Sequence, residues 1–168
     1  MVTINIFLAE YKLNLNIKKI KIMRIFGNLF SMSFSEYIDL GIKKALERDY
    51  SSAFVYFEKA INKNPAHHLG YFNRGAVILE SAYIKIDEDI FRGFEVEDQI
   101  KEAITDFDKT IRLNPNYTKA YIKRGFAKIM LNDTSSGKAD FEHALSHGDS
   151  SVLSILNDPA FRKILNIH

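Results

Sequence analysis

The stretch "YIKRGFAKIM" (residues 121–130) has the composition of a helix, yet a glycine, Gly125, stands in its middle. Glycine inside a helix costs about 0.5–1 kcal/mol relative to alanine, so a compensating gain is expected. A similar stretch, "YFNRGAVILE", occurs 50 residues earlier at positions 71–80, with Gly75 in the same place. A glycine that recurs in one helical setting indicates a repeated structural unit.

The first helix of each unit fixes one series of spacings. Each copy places a tyrosine four residues before a glycine, which puts both on one face of a helix. Successive glycines are separated by 34 and then by 50 residues, at Gly41, Gly75 and Gly125.

The second helix of each unit gives the same two spacings in the opposite order. It carries a small, a large and a small residue, and the large ones recur after 50 and then 34 residues, at Phe57, Phe107 and Phe141. Three repeats of 34 residues fit both series if the middle one has 16 extra residues between its helices, near residues 80–99. The small residues let two antiparallel helices approach closely, with a phenylalanine between them. We therefore expect an all-α fold.

This pattern resembles the tetratricopeptide repeat, whose helix–turn–helix unit carries aromatic, glycine, alanine, aromatic, alanine and proline in order. Residues 114–145 resemble nearly a whole unit, and "RDYSSAFVYFEKAINKNP" and "IKEAITDFDKTIRLNP" resemble the second half of one. Tyrosine replaces the usual tryptophan, and Thr110 and Gly137 replace alanines. The resemblance implies a right-handed α-solenoid of three helix–turn–helix repeats, the middle one with the 16-residue insertion, followed by C-terminal capping helices.

The repeats divide the chain into five segments. We expect repeats at about 34–67, 68–117 and 118–149, with the insertion near 80–99. Residues 150–168 are expected to cap the last repeat, since "SSVLSILNDPAFRKIL" supplies apolar helical stripes and Asp158 as an N-cap before Pro159.

Residues 1–33 form an N-terminal extension of uncertain order. Three interpretations stay open: a disordered tail, an amphipathic element that docks on the first repeat, or translation that starts at Met23 or Met32. The run "INIFLA" is too short to span a membrane, so no membrane span is expected.

The insertion is rich in acidic residues. A calcium loop would need a carboxylate fifth and a glycine sixth from Asp87, where Phe91 and Arg92 stand, so the motif fails. We expect the first helix to run on by a turn or more and a solvated loop to follow, in which Phe91 and Phe94 fold back or contact a partner.

The charge distribution is uneven. Residues 1–30 have a net charge of +4, residues 80–108 of −7 and residues 109–168 of +4, which indicates charged surfaces for partners. No clustered basic face is evident, so no nucleic-acid partner is expected. The chain has no cysteine, which suits a reducing compartment, and we expect a cytoplasmic location.

No motif predicts catalysis or a cofactor. Phosphate-binding, nucleotide-binding and nucleophile-elbow signatures are absent from the sequence. His143 and His147 are four residues apart and could share a helix face, but no third metal ligand is evident. We therefore expect no catalytic residue, no cofactor and no metal site, and a protein that is not an enzyme.

The resemblance also implies a concave groove, because in tetratricopeptide proteins the first helices line a surface that holds peptides. One subfamily binds the C-terminal carboxylate of heat-shock chaperones through lysine, arginine and asparagine. Ile38 and Ile42 stand where that clamp needs lysine and asparagine, so a complete clamp is not expected. The repeat register gives this candidate peptide-binding groove: Ile38, Ile42, Phe72, Asn73, Ala76, Lys119, Ile122, Lys123, Phe126 and Met130.

Three functions remain open from the sequence. The first is a non-enzymatic interaction module that binds a peptide or helix of a partner, preferably acidic because Lys119 and Lys123 form a basic end. The second is an assembly or regulatory subunit that packs permanently on a partner or on itself. The third, weakly supported by the basic ends, is an RNA-associated helical repeat. The oligomeric state does not follow from the sequence.

Overall fold

The computed structural model describes residues 32–87 and 94–164, together with Lys18. Contacts divide the chain into residues 1–33 and 34–168, and the following elements belong to the second unit. None of these helices is long and apolar enough to cross a bilayer. The described ranges hold no strand, only eight helices: α1 (Phe34–Leu46), α2 (Tyr50–Lys63), α3 (His68–Asp87), α4 (Phe94–Leu113), α5 (Thr118–Met130), α6 (Thr134–Ser146), α7 (Val152–Leu156) and α8 (Pro159–Ile164).

The helices form three successive hairpins. α1 packs on α2, α3 on α4, and α5 on α6, and each hairpin also packs on the next one. The links 47–49, 64–67, 114–117 and 131–133 are short, which makes consecutive helices antiparallel. The first helices also contact one another, α1 with α3 and α3 with α5, so they form a continuous inner layer. This arrangement is the expected α-solenoid.

The recurring glycine lies where the two helices of a hairpin meet. A Cβ atom at Gly125 would lie 2.9 Å from the carbonyl oxygen of Gly137 and 2.9 Å from Cε1 of Phe141. At Gly75 it would lie 3.1 Å from Cε1 of Phe107. These distances are shorter than ordinary van der Waals contact. The close helix approach predicted from the sequence is therefore confirmed.

The recurring phenylalanine fills the centre of each hairpin. Phe57, Phe107 and Phe141 are at most 1% exposed and are the largest fully buried side chains of the described residues. Thr110 can replace the usual alanine there because its hydroxyl donates to the carbonyl oxygen of Asp106 at 2.9 Å. The hydroxyl is thus buried with a partner, which avoids the cost of an unsatisfied polar group.

The middle hairpin is longer than the other two. Both α3 and α4 have 20 residues, whereas the other hairpin helices have 13 or 14. α3 continues to Asp87, as expected. The expectation of a loop is wrong for residues 94–99, which form the start of α4. These residues are helical because Val96 and Ile100 extend the buried apolar stripe that contains Ala103. Residues 88–93 and the side chain of Phe94 lie outside the described part of the chain.

The last hairpin is covered by α7 and α8. Val152 is fully buried in a cluster with Tyr121 and Phe141, and Phe161 packs on that cluster. Asp158 accepts a hydrogen bond from the backbone N–H of Phe161 at 3.2 Å, which confirms it as an N-cap. Both helices therefore cap the stack, as the sequence predicts.

Candidate peptide-binding groove

The inner layer carries two adjoining depressions. The first, of about 270 Å³, is lined mainly by α1 and α3, and the second, of about 420 Å³, by α3, α5 and α8. Glu80 and Lys123 line both, so the two depressions join into one groove. The first depression includes Ile42, Leu46, Asn73 and Ala76, and the second includes Tyr83, Phe126, Met130 and Phe161.

Six of the ten residues predicted for the groove line these depressions. They are spread over three helices, and the stacking of the repeats brings them together. One of them, Asn73, donates from Nδ2 to the carbonyl oxygen of Leu69 at 2.8 Å, which fixes its side chain along α3. The six are Ile42, Asn73, Ala76, Lys123, Phe126 and Met130.

Three predicted apolar residues line neither depression. Ile38 is 7% exposed and belongs to the buried cluster around Phe57. Phe72 packs edge to face on Tyr117, with 4.9 Å between ring centroids. Ile122 packs against the core of the last hairpin. These side chains stabilise the packing of the helices that form the groove and do not contribute to its surface.

Lys119 also lies outside both depressions. It is exposed, and its charge acts on Asp149, at the end of the last hairpin. Hydrogen bonds from Ser151 (2.5 Å) and then Thr118 (2.7 Å) are the main causes that lower the pKa of Asp149, and Lys119 adds to them. Lys119 and Lys123, expected to form one basic end, therefore face different surroundings.

Sequence reasoning missed several groove residues, among them Glu80 and three large side chains at the margins of the repeats. Leu46 is 81% exposed at the end of α1, and Tyr83 is 58% exposed in the extension of α3. Phe161 reaches the second depression from α8. A signal existed for Tyr83, which follows Ala76 and Leu79 on one helix face. No local signal places Phe161 there, because that contact depends on how the cap folds back.

The arginines of the inner layer are held by buried carboxylates. Arg74 donates to both carboxylate oxygens of Asp106 at 2.8 Å, and it lies 3.6 Å from Glu58 of the preceding hairpin. The hydrogen bond with Asp106 is the first cause of the raised pKa of Arg74, although burial opposes it. Since two parallel bonds fix the guanidinium plane, the arginine locks α3 against α4.

The same set of charges recurs one repeat later. Arg124 donates to Asp140 at 2.9 and 2.5 Å and to Asp108 of the preceding hairpin at 2.6 Å. Lys128 joins it, 2.8 Å from Asp140. Burial lowers the pKa of Arg124, but hydrogen bonds with Asp140 and Asp108 outweigh it and raise the pKa overall. Sequence reasoning missed this set of one arginine and two carboxylates. The arginine and the carboxylate of the preceding hairpin recur after 50 residues, and the carboxylate of the same hairpin recurs after 34.

Lys123 differs from these paired cations. Its side chain is half-buried at the junction of the two depressions. Within residues 32–87 and 94–164 it makes no ion pair and no hydrogen bond through Nζ. Glu80, on the same junction, is exposed and likewise has no ion-pair partner in those ranges. Among the described residues, the groove therefore has one charge of each sign that makes no ion pair, at the junction of the two apolar depressions.

The two histidines considered for a metal site form part of an aromatic stack. The ring of His143 lies parallel to Tyr121 at 3.9 Å and to His147 at 4.1 Å between centroids. Burial, and then the neighbouring His147, lower the pKa of His143. Among the residues that the structure describes, no three His, Cys, Asp or Glu side chains gather to hold a metal ion.

Three stacked hairpins with an inner groove define a helical-repeat protein of the α-solenoid class. No family model matches the chain. The Arabidopsis OM64 TPR domain covers 78% of this chain and 95% of its own, with 23% identity and a TM-score of 0.64. The second TPR of Spaghetti (RPAP3), solved bound to the HSP90 peptide SRMEEVD, covers 68% and 91%, with 26% identity and a TM-score of 0.55.

The chain is also similar in sequence to curated proteins. The STIP1 homolog of Dictyostelium discoideum is 30% identical over 111 residues, which are 66% of this chain and 17% of that protein. The chain thus spans about one sixth of the length of the curated relatives it matches. The hairpins therefore have the fold of tetratricopeptide repeats, and the resemblance found in the sequence is confirmed.

Proposed function

We propose that the chain is a non-enzymatic interaction module that binds an acidic peptide or helix of a partner protein in its inner groove. One observation carries this proposal: exposed apolar side chains gather around Lys123, which makes no ion pair with any described residue. Five large apolar side chains are exposed in the described residues, and three of them, Ile42, Leu46 and Tyr83, line the groove. Exposed apolar surface concentrated in one place marks an interaction site.

The acidic preference follows from Lys123. A half-buried ammonium between apolar walls gains from a ligand carboxylate, since the pair is less screened there than on an open surface. The second TPR of Spaghetti (RPAP3), a structural neighbour, was solved bound to the acidic peptide SRMEEVD, which supports an acidic ligand. Ile38 and Ile42 supply no donor in the first repeat, so we propose that acidic side chains, and not the terminal carboxylate, are recognised.

The same proposal includes the organisation of the chain. We place the three repeats at residues 34–67, 68–117 and 118–149, after an extension of residues 1–33 and before a cap of residues 150–168. We also propose that the module works in the cytoplasm, which the absence of cysteine supports.

A second candidate is an assembly subunit that packs permanently through the groove. It is favoured by Leu46, which is unusually exposed for a leucine. Mass in solution separates the two, because a free interaction module is expected to be monomeric in the absence of its ligand.

A peptide titration tests the proposed function. The probe is fluorescein-labelled SRMEEVD, with a free or an amidated C-terminus, measured by anisotropy at low and high salt. We expect both forms to bind alike and Lys123→Ala to weaken binding about fivefold at low salt, the scale of one partly exposed ion pair. Lys119→Ala, one turn away on α5, is the matched control and should have little effect.

Two results would contradict the proposal. Absence of binding to the wild-type protein would exclude acidic peptides as ligands. Equal affinity for wild type and Lys123→Ala at low salt would place the acid-binding surface elsewhere. Circular dichroism of each variant checks that the helices remain intact.

A further inference from the structure

We infer that the second depression is an anchor pocket, which accepts one large aromatic or methionine side chain of an acidic partner segment. This inference rests on the proposed function, because it assigns a specific contact to the groove. It concerns the end of the groove that lies between α3, α5 and α8. The first depression is not part of it.

Two side chains of the pocket come from parts of the chain that a regular repeat lacks. Tyr83 lies in the extra turns of α3, and Phe161 lies in the capping helix α8. The other lining residues come from the first helices of the second and third repeats: Leu79, Glu80, Lys123, Phe126, Ile129 and Met130. The insertion and the cap thus convert an open groove into a depression with walls on three sides.

The shape and chemistry of the pocket suit one large apolar side chain. Its volume of about 420 Å³ falls within the range of small-ligand pockets. Phe126 and Phe161 meet edge to face at 5.4 Å, and both rings also contact Phe141 behind them, at 5.2 and 6.1 Å. These rings hold one another in place, so the wall is preformed. Aromatic walls favour aromatic and sulfur-containing partners.

The charges at the mouth of the pocket determine what flanks the anchor. Lys123 has no ion-pair partner among the described residues, and it lines the pocket together with Glu80. A ligand carboxylate next to the anchor side chain pairs with Lys123 and is repelled by Glu80, but the half-buried Lys123 is less screened by solvent than the exposed Glu80, so the attraction dominates. The occupant is therefore an acidic segment with an apolar anchor. Glu80→Gln should strengthen its binding and Lys123→Gln should weaken it.

The absence of tryptophan from the chain makes a direct test possible. The probe is acetyl-GEEWEEG-amide, whose blocked ends exclude recognition of a terminal carboxylate, and the comparison peptide carries alanine in place of tryptophan. All tryptophan emission then comes from the probe. We expect the emission to shift to shorter wavelength on binding, and the tryptophan peptide to bind about tenfold more tightly than the alanine peptide in calorimetry.

Two variants locate the effect. Tyr83→Ala should remove most of the preference for tryptophan, and Tyr83 is exposed enough for its loss to leave the fold intact. Val55→Ala is the control, because Val55 is 45% exposed on α2, away from the groove. The control should keep both the emission shift and the preference.

The outcomes separate this inference from the proposed function. If the probe binds without an emission shift, or if Tyr83→Ala keeps the preference, the pocket is wrong and the groove proposal stands. If neither peptide binds at low salt, both are refuted. A wild-type dimer in sedimentation that Tyr83→Ala dissociates would assign the pocket to a second copy of the chain, which also overturns the inference.

Discussion

Replacing Gly125 by alanine tests the reason for the glycine in "YIKRGFAKIM". The new methyl group would meet the carbonyl oxygen of Gly137 and the ring of Phe141, each at 2.9 Å. The carbonyl belongs to the backbone of α6, so the contact can be relieved only if the two helices separate. Overpacking of this kind costs about 1–3 kcal/mol.

Alanine also brings a gain that has to be subtracted. It favours the helix over glycine by about 0.5–1 kcal/mol, which leaves a net destabilisation of about 0–2.5 kcal/mol, with a midpoint of about 1 kcal/mol. For a chain of this size, 1 kcal/mol lowers Tm by about 2–4 °C, so we expect a fall of roughly 2–4 °C in a thermal melt. Gly125→Leu should lower Tm further, since its larger side chain points into the same contact.

The control for this experiment is Ala139→Gly. Ala139 is exposed on α6, so this change measures helix propensity without a packing contact. If Gly125→Ala raised Tm by as much as Ala139→Gly lowers it, propensity alone would explain both changes. The close approach of α5 and α6 would then be refuted.

Two further predictions concern charged groups. Hydrogen bonds from Ser136 lower the pKa of Asp133 below its ordinary value of 3.8, so the stability they give is complete above that pH and is lost as the pH falls through the folded-state pKa. Asp133 is the N-cap of α6 and accepts from the backbone N–H of Ser136 at 3.2 Å. Asparagine can cap the helix too, so the Tm advantage of wild type over Asp133→Asn reports the charge and should shrink between pH of about 5 and about 2; a constant advantage would show that the charge adds nothing to the cap. Arg124→Leu should cost about 3 kcal/mol in urea unfolding, because it leaves the buried Asp140 with one partner fewer. Lys138→Leu, at an exposed ion pair, is the control and should change stability by less than about 0.5 kcal/mol.

The repeat architecture could be predicted because its signals are local. Gly125 and Phe141 each report a contact within one hairpin, and both recur at fixed intervals. Helical spacing then places them on facing surfaces, so the core of every hairpin follows from the sequence. The same argument predicts the cap from Asp158 and Pro159.

The groove could be predicted only in part because it depends on contacts between hairpins. Repeat register gives the angular position of a residue on its helix, but not the tilt of that helix against the next. The register therefore does not predict that Ile38 is buried, or that Lys119 lies outside both depressions while Lys123 lines them. Phe161 belongs to the cap, for which the repeat pattern gives no position, and Tyr83 follows only if the helical spacing of Ala76 and Leu79 is continued into the insertion.

Three consecutive residues in the inner helices of the second and third repeats have three different tasks. The first, Lys123 or its counterpart Asn73, lines the groove; the second, an arginine, bonds two carboxylates; the third, a glycine, allows close contact. In the first repeat Leu40 takes the place of the arginine, and the described residues contain no earlier hairpin whose carboxylate an arginine could bind. Each arginine is paired with carboxylates of its own hairpin and of the preceding one, so the arginines contribute no free charge to the groove. In the function that we propose, the selection of a ligand by charge is then left to Lys123 and Glu80, which line both apolar depressions.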